Sequence, residues 1–229
     1  MKIKNVGALF CKQAKDCAKN PPFLLLFFIY PTVALVLIQA MKGQPGISEV
    51  FVSMFAVMHS VFTPIVAAAS FIAEEREKNT LRVLIMSNVT LKEYLVSVGG
   101  FILLANLLTG SSFIFFGNHA VSDSLFILAM GGCSLISVIL GSCIGLFSKN
   151  AAAANGLAVP IGILFAFLPM LANFNRKIET VAGFTYGQQL GRLLAGKEIT
   201  FCGFIVIAAN LAILVIASAF LYKRSLSEE

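Results

Sequence analysis

Phe71 to Leu95 reads FIAEEREKNTLRVLIMSNVTLKEYL, the most polar continuous run in a very apolar chain. Apolar stretches flank it on both sides. The pattern predicts that the preceding apolar helix continues through FIAEEREK. Glu74 and Lys78 stand four residues apart in the order that supports a helix. Asn79 is a suitable stop, because Asn tolerates the left-handed backbone that often ends helices. TLRVLIM then predicts a short amphipathic helix, with Leu81, Leu84 and Ile85 on one side. Thr90 opens the next helix. TLKE is a capping box with Glu93 three residues after Thr90. Val89 and Tyr94 are placed to form a hydrophobic staple across it. The predicted object is a helix, a corner, a short helix parallel to a membrane, a turn and a returning helix. Such an element can project into the cleft of a partner.

Composition places the rest of the chain in lipid. The 229 residues are 58% hydrophobic and 12% charged, and the mean hydropathy is +0.89. A soluble domain carries about 25% charged residues. The net charge of +6 suits anionic headgroups better than nucleic acid, since no basic face recurs outside short loops. A span needs about 20 apolar residues. Six stretches qualify: Pro21 to Met41, Val50 to Ala73, Leu95 to Phe116, Ser124 to Phe147, Asn155 to Leu171 and Phe201 to Tyr222. The first is too long in its apolar part, and lacks the small residues, for a cleaved signal sequence. Lys and Arg orient the spans. Twelve lie on the face that holds residues 1–20, the 74–93 loop, Lys149 and Lys223/Arg224; five lie opposite, at Lys42, Arg176, Lys177, Arg192 and Lys197. Both termini and the 74–93 loop are therefore expected to be cytoplasmic.

Within residues 1–20, Ile3, Val6, Phe10, Ala14 and Cys17 share one side of a helical wheel, and Lys4, Lys12, Lys15 and Lys19 the other. Pro21 and Pro22 end the pattern. An amphipathic helix lying in the interface is expected, its lysines near lipid phosphates. In span four, Ser137, Gly141 and Gly145 recur every four residues, a stripe that lets helix backbones approach closely, within one subunit or between two. Pro64, Pro160 and Pro169 predict kinks or breaks, and Gly99/Gly100 a softer point. The 172–200 segment carries Val181, Phe184, Leu190, Leu193 and Leu194 at roughly helical spacing. It is too polar to cross and too apolar to float, which suggests short re-entrant helices beside a plain surface loop as the alternative. The expected fold is thus all-α: one membrane domain over 1–229, with a six-span bundle over 21–222.

Several chemistries have no residues to carry them. There is no G-x-x-x-x-G-K-[ST] phosphate loop and no HExxH. Five cysteines, odd in number and without CxxC, give neither a disulfide framework nor a zinc site. His59 lies inside span two, where an ionisable group is a functional candidate; without a nearby acid it reads as a satisfied polar contact. His119 is distant. Charges inside the spans are nearly absent, so a transport cycle needs energy from outside them.

EREKNTLRVLIMSNVTLKEYL resembles the type-2 ABC transporter permeases. The drug and peptide exporters of that family carry a stretch like E-R-E-K-G-T-L, then a few apolar residues, a small turn and the next span. Glu75, Arg76, Glu77, Lys78, Thr80 and Leu81 match. Asn79 stands where the family has Gly. The six spans, the basic N-terminal helix and the long last external segment also fit. The resemblance implies a coupling element made of Glu74, Glu75, Arg76, Glu77, Lys78, Asn79, Thr80, Leu81, Arg82 and Leu84 that docks in a groove of a separate ABC ATPase subunit. It implies no cofactor in this chain, with ATP and Mg on that partner. It implies a dimer of permeases, with a second identical copy preferred to a different one. The segment near Lys149 would be a second cytoplasmic contact, and the external segment would gate the exit. The implied place is the bacterial plasma membrane. The implied cargo is a drug, a bacteriocin or a peptide toxin such as a phenol-soluble modulin. Two rival readings remain. One is a non-transporting immunity or sensing subunit. The other is an intramembrane protease of the CAAX type, whose EExxxR motif fails here because Asn79 stands at the Arg position.

Overall fold

The computed structural model describes residues 3–41, 47–116 and 121–227. His119 and Lys42 lie outside the described residues. Among the described residues every regular element is helical. In chain order these are α1 (Ile3–Ala18), α2 (Pro21–Ala40), α3 (Ile47–Glu77), α4 (Thr80–Met86), α5 (Leu91–Gly110) with a 3-10 extension at Ser111–Phe115, α6 (Asp123–Phe147), α7 (Ala151–Ala172), α8 (Arg176–Ala182), α9 (Tyr186–Leu194) and α10 (Phe201–Ser227). Six of them, α2, α3, α5, α6, α7 and α10, are long and apolar enough to cross a membrane. The protein is a multi-pass membrane protein with no membrane-length helix beyond these among the described residues.

α3 is the axle. It touches α2, α4, α5, α6, α7 and α9, and Val52, Ala56, Val61, Ile65, Ala69 and Ala73 along it are buried. Its closest neighbour is α6, and the reason is size. A Cβ at Gly141 would lie 2.9 Å from the Ala68 Cβ, and one at Gly145 would lie 2.9 Å from both the Ala69 carbonyl oxygen and the Ile72 Cβ. Gly141 and Gly145 of the small-residue stripe therefore pack within the subunit, against Ile65, Ala68, Ala69 and Ile72 of α3. Two glycines meeting alanines bring the backbones together and recover dispersion contacts that lipid cannot replace.

The prolines of span five do not break it. α7 runs unbroken through Pro160 and Pro169, and it begins at Ala151, four residues before the expected start of span five. Each proline leaves one carbonyl without its helical donor, that of Gly156 and that of Phe165, and the helix continues past both. Gly99 and Gly100 lie within an uninterrupted α5. Gly99 serves packing, since a Cβ there would lie 3.1 Å from a Val138 methyl of α6.

The apolar face of α1 is covered by protein. Its most buried residues are Leu9, Gln13 and Cys17, with Phe10 and Ala14 packed beside them. That face lies against α5 and the end of α3: Phe10 meets Phe101 edge-on at 5.6 Å, and the Ser97 hydroxyl donates to the Val6 carbonyl at 3.1 Å. The wheel identifies the apolar side but not what covers it. Another helix does so, and Gln13 and Lys12 point at it too. Burial pushes the Cys17 thiol up from its ordinary pKa, so it acts as a small apolar residue. All five cysteines are free thiols.

Candidate functional site: the junction at the α3–α4 corner

α3 continues past its apolar stretch to Glu77, and the chain turns at Asn79. Asn79 has φ 55° and ψ 12°, the left-handed region. Asn and Gly enter it most cheaply, because a branched side chain would crowd the following carbonyl. Asn79→Gly is expected to leave stability unchanged to within about 0.5 kcal/mol, whereas Asn79→Val is expected to cost about 1–2 kcal/mol. Thermal unfolding of the two purified variants checks the contrast. The turn at Asn88 is also left-handed, with φ 68°. The Thr90 box is closed in both directions: Glu93 N–H donates to the Thr90 hydroxyl at 3.3 Å and Thr90 N–H to the Glu93 carboxylate at 3.1 Å. The αL corner and the capping box thus fix both ends of the α4 segment.

The charged side chains before the corner each find a different partner. Glu74 accepts from Lys78 at 2.5 Å, a local pair that, with the Glu74 charge, raises the Lys78 pKa. Glu75 is only 7% exposed. It accepts from the Lys12 ammonium and from the Gln13 amide at 2.9 Å, both on α1. Arg76 donates to the Leu146 carbonyl and, at 3.2 Å, to the Ser148 carbonyl, at the C-terminal end of α6. Glu77 accepts from the Ala151 N–H at 2.8 Å, at the start of α7. A helix end leaves carbonyls unpaired and partially negative, and a helix start leaves N–H groups unpaired and partially positive. Arg76 and Glu77 therefore meet opposite needs of the α6–α7 turn at Lys149. The Thr80 hydroxyl donates to the Glu75 carbonyl at 3.1 Å. One turn of α3 thus ties together α1, α4, α6 and α7.

α4 itself has two faces. Leu81 is buried at 1% exposure, and Leu84 and Ile85 pack against the same core. The outer face carries Arg82, Val83 and Met86, all exposed, the last two at 59% and 79%. Of the ten residues expected to form the coupling element, Lys78, Asn79 and Arg82 stand in the open with Glu77, while Glu75, Arg76 and Leu81 are engaged inside the subunit, Glu74 and Thr80 partly so. Val83 and Met86 are the surface residues that the sequence reading missed. They follow Leu81 on the helix by two and five positions, so their outward direction was implied once Leu81 was assigned inward.

The histidine expected as a satisfied polar contact is satisfied at one ring nitrogen only, since Nδ1 is buried without a hydrogen-bond partner among the described residues. His59 is fully buried, with Nε2 3.1 Å from the Asn106 carbonyl and 3.2 Å from the Thr109 hydroxyl. Asn106 donates in turn to the Ser134 hydroxyl at 2.8 Å. The group links α3, α5 and α6. Sixteen residues of α3 separate His59 from Glu75, about 24 Å at 1.5 Å per residue, so the structure does not bring the Glu74/Glu75 pair and this histidine together. Among the described residues no three His, Cys, Asp or Glu side chains converge where they could share a metal ion.

At the opposite end, the 172–200 segment folds as α8 and α9. α9 is buried on most of its surface. The Tyr186 and Ser137 hydroxyls meet at 2.8 Å, about 21 Å along α6 from its start. Ser53 donates to the Leu194 carbonyl at 3.3 Å, near the start of α3, so α9 runs outward along α3. Gly191 makes this possible, since a Cβ there would lie 3.2 Å from a Val57 methyl. Arg192 and Glu179 pair at 2.9 Å across α8 and α9. A cavity of about 280 Å³ lies between these helices, α3 and α7, with Met54, Val57, Pro169 and Gln188 among its walls. A scan against protein-family models finds no match to this chain, and a search of the curated proteins finds none either.

Proposed function

We propose that the chain is the transmembrane subunit of an ATP-driven exporter of the type-2 ABC kind, and that α4 is its coupling helix. The observation that carries this reading is α4: a short helix held at both ends, with an anchored inner face and an outer face of Arg82, Val83 and Met86 that none of the described residues covers. Exposed large apolar side chains beside a cation suit a protein groove. The partner is an ABC ATPase subunit, which brings ATP and Mg. A push on α4 reaches α3 through Leu81 and the Asn79 corner, and reaches α1, α6 and α7 through Glu75, Arg76 and Glu77. These three are positioning residues in this reading, and the docking contacts are Arg82, Val83 and Met86 with Lys78 beside them. α8 and α9 act at the outer exit as re-entrant helices, a reading supported by the burial of α9 against Ser137 and Val57. The assembly contains two copies of the chain in the bacterial plasma membrane, with both termini cytoplasmic. The cargo is an amphipathic or hydrophobic peptide or drug.

The test is the double variant Val83→Asp/Met86→Asp, co-expressed with ABC ATPase subunits of the source cell. Two carboxylates in an apolar groove are expected to weaken the complex about tenfold or more. The helical content of the variant should match that of the parent, because both side chains are exposed. Loss of co-purification and of cargo-stimulated ATP hydrolysis supports the reading. Unchanged co-purification, or a parent chain that recruits no ATPase, overturns it.

A further inference from the structure

We propose that the cavity between α3, α7 and α9 binds the carboxy-terminal end of an apolar peptide, with its last peptide group on Gln188 and its carboxylate at Lys197. The cavity lies at the end of the bundle opposite the α4 corner and measures about 280 Å³. Its wall holds an amide with nothing to bond. Gln188 is 6% exposed and lines the cavity. Its carboxamide makes no hydrogen bond to any described residue; only its backbone N–H is engaged, with the Thr185 hydroxyl. The amide is not among the unpartnered atoms sealed from solvent, so the little surface it keeps opens into the cavity. Gln189, the next residue, shows the contrast. Its amide donates to the Gly183 carbonyl at 2.6 Å and helps to hold α9 in place.

Size, polarity and charge select the ligand. The volume is at the lower end for small-ligand sites, about 300 Å³, so it admits a residue or two and no folded segment. A carboxamide both donates and accepts. The group that matches it on both sides is another amide, the unit that a peptide backbone repeats. Met54, Val57, Ala166 and Pro169 surround Gln188 with apolar surface, which suits an apolar side chain and makes an unpaired amide costly. A cavity open on one side takes a chain end more easily than a loop, which must both enter and leave. The charges decide which end. Arg192 and Glu179 pair with each other at 2.9 Å. Lys197, also in the wall, makes no ion pair among the described residues. Gly196 closes α9 in the left-handed region, with φ 73°, and the Lys197 N–H donates back to the Arg192 carbonyl at 2.9 Å. Such a turn folds the chain over the end of its helix, and it fixes Lys197 as the one unpaired charge of the wall. A carboxylate is attracted there and an ammonium repelled. This inference needs only the membrane fold and does not depend on the transport reading.

The probe is N-acetyl-leucyl-leucine, titrated calorimetrically into the full-length protein in lipid nanodiscs with no ATPase present. It should bind about tenfold more tightly than N-acetyl-leucyl-leucinamide, which lacks the carboxylate and its charged hydrogen bond. Leucyl-leucinamide, which carries an ammonium instead, should bind more weakly still. Gln188→Leu should weaken both acetylated peptides about tenfold. Lys197→Gln should weaken the acid alone, and so erase the difference between acid and amide. Lys177→Gln, on α8 and outside the cavity, should change nothing. Both lysines are exposed and the Gln188 side chain has no internal bond to lose, so the variants should fold, as circular dichroism verifies; the lysine arm decides alone if Gln188→Leu does not. Absence of saturable binding by the parent, equal affinity for the three peptides, or equal losses in Lys177→Gln and Lys197→Gln overturns the proposal. So does a folded Gln188→Leu that binds as the parent does, which would leave Gln188 an amide that only faces water.

Discussion

Gly141→Leu is expected to abolish the folded protein. A Cβ at this position would already fall within contact of the Ile65 backbone and 2.9 Å from the Ala68 Cβ. Neither neighbour is the far end of a flexible side chain, so the helices themselves must separate. Overpacking of this kind costs about 3 kcal/mol or more, and separation also forfeits the dispersion contacts with Ala68, Ala69 and Ile72. In lipid no hydrophobic force restores the pair. Gly145→Leu, one turn on, meets the Ala69 carbonyl and the Ile72 Cβ at 2.9 Å and should behave alike. Gly132→Ala in the same helix is the comparison, because a Cβ there has nothing within 4 Å. It should leave the yield of monodisperse protein unchanged or slightly improved. Size-exclusion profiles of the three variants, expressed in parallel, check this. Monodisperse Gly141→Leu would show that α3 and α6 do not meet as described.

Much of this fold was legible in the chain because the signals were local. Six apolar runs gave six helices, since length and hydropathy alone decide whether a segment can satisfy its backbone in lipid. The Asn79 corner and the Thr90 box were readable for the same reason: each depends on residues within one turn of itself. The destinations of the charged side chains were not readable. Glu75, Arg76 and Glu77 are consecutive, and on a helix consecutive side chains diverge by about 100°. They were bound to face different neighbours, but which neighbours depends on how α1, α6 and α7 pack. Sequence proximity made the run look like one surface, and the fold divides it into three internal ties. Lys12 shows the converse. On the wheel it belongs to the polar side of α1, which suggests water or lipid phosphate. The end of α3 lies there instead, and it carries a carboxylate. Val83 and Met86 were passed over because attention went to the charges of the run, although placing Leu81, Leu84 and Ile85 on one side left these two on the other. The unbroken α7 reflects the same limit: a proline fixes a local cost, and only the tertiary setting shows whether neighbours meet it.

Lys12→Met is expected to destabilise the protein far more than Glu75→Gln, although the two remove the same ion pair. Glu75 is 9% exposed at its side chain and Lys12 is 32% exposed. When Glu75 is replaced by glutamine, the lysine can extend its ammonium into water, and the new amide can still bond Gln13. When Lys12 is replaced by methionine, a carboxylate remains enclosed with one amide donor, and its second oxygen already lacks a partner. Leaving a buried charge uncompensated costs about 3 kcal/mol or more, which for a chain of this size corresponds to a fall in Tm of roughly 6–12 °C. Glu75→Gln should cost about 1 kcal/mol. The double variant Lys12→Met/Glu75→Leu should recover most of the loss, because two apolar side chains of similar volume can replace a buried pair. Thermal unfolding of the four proteins in one detergent ranks them. The order matters beyond stability. If Lys12→Met is the worst of the set, α1 holds the base of α4 by satisfying a buried charge, and a load applied to α4 must be borne in part by the N-terminal helix. If both single variants cost the same, the pair is an ordinary surface contact, and α1 can lift from the bundle without disturbing the corner.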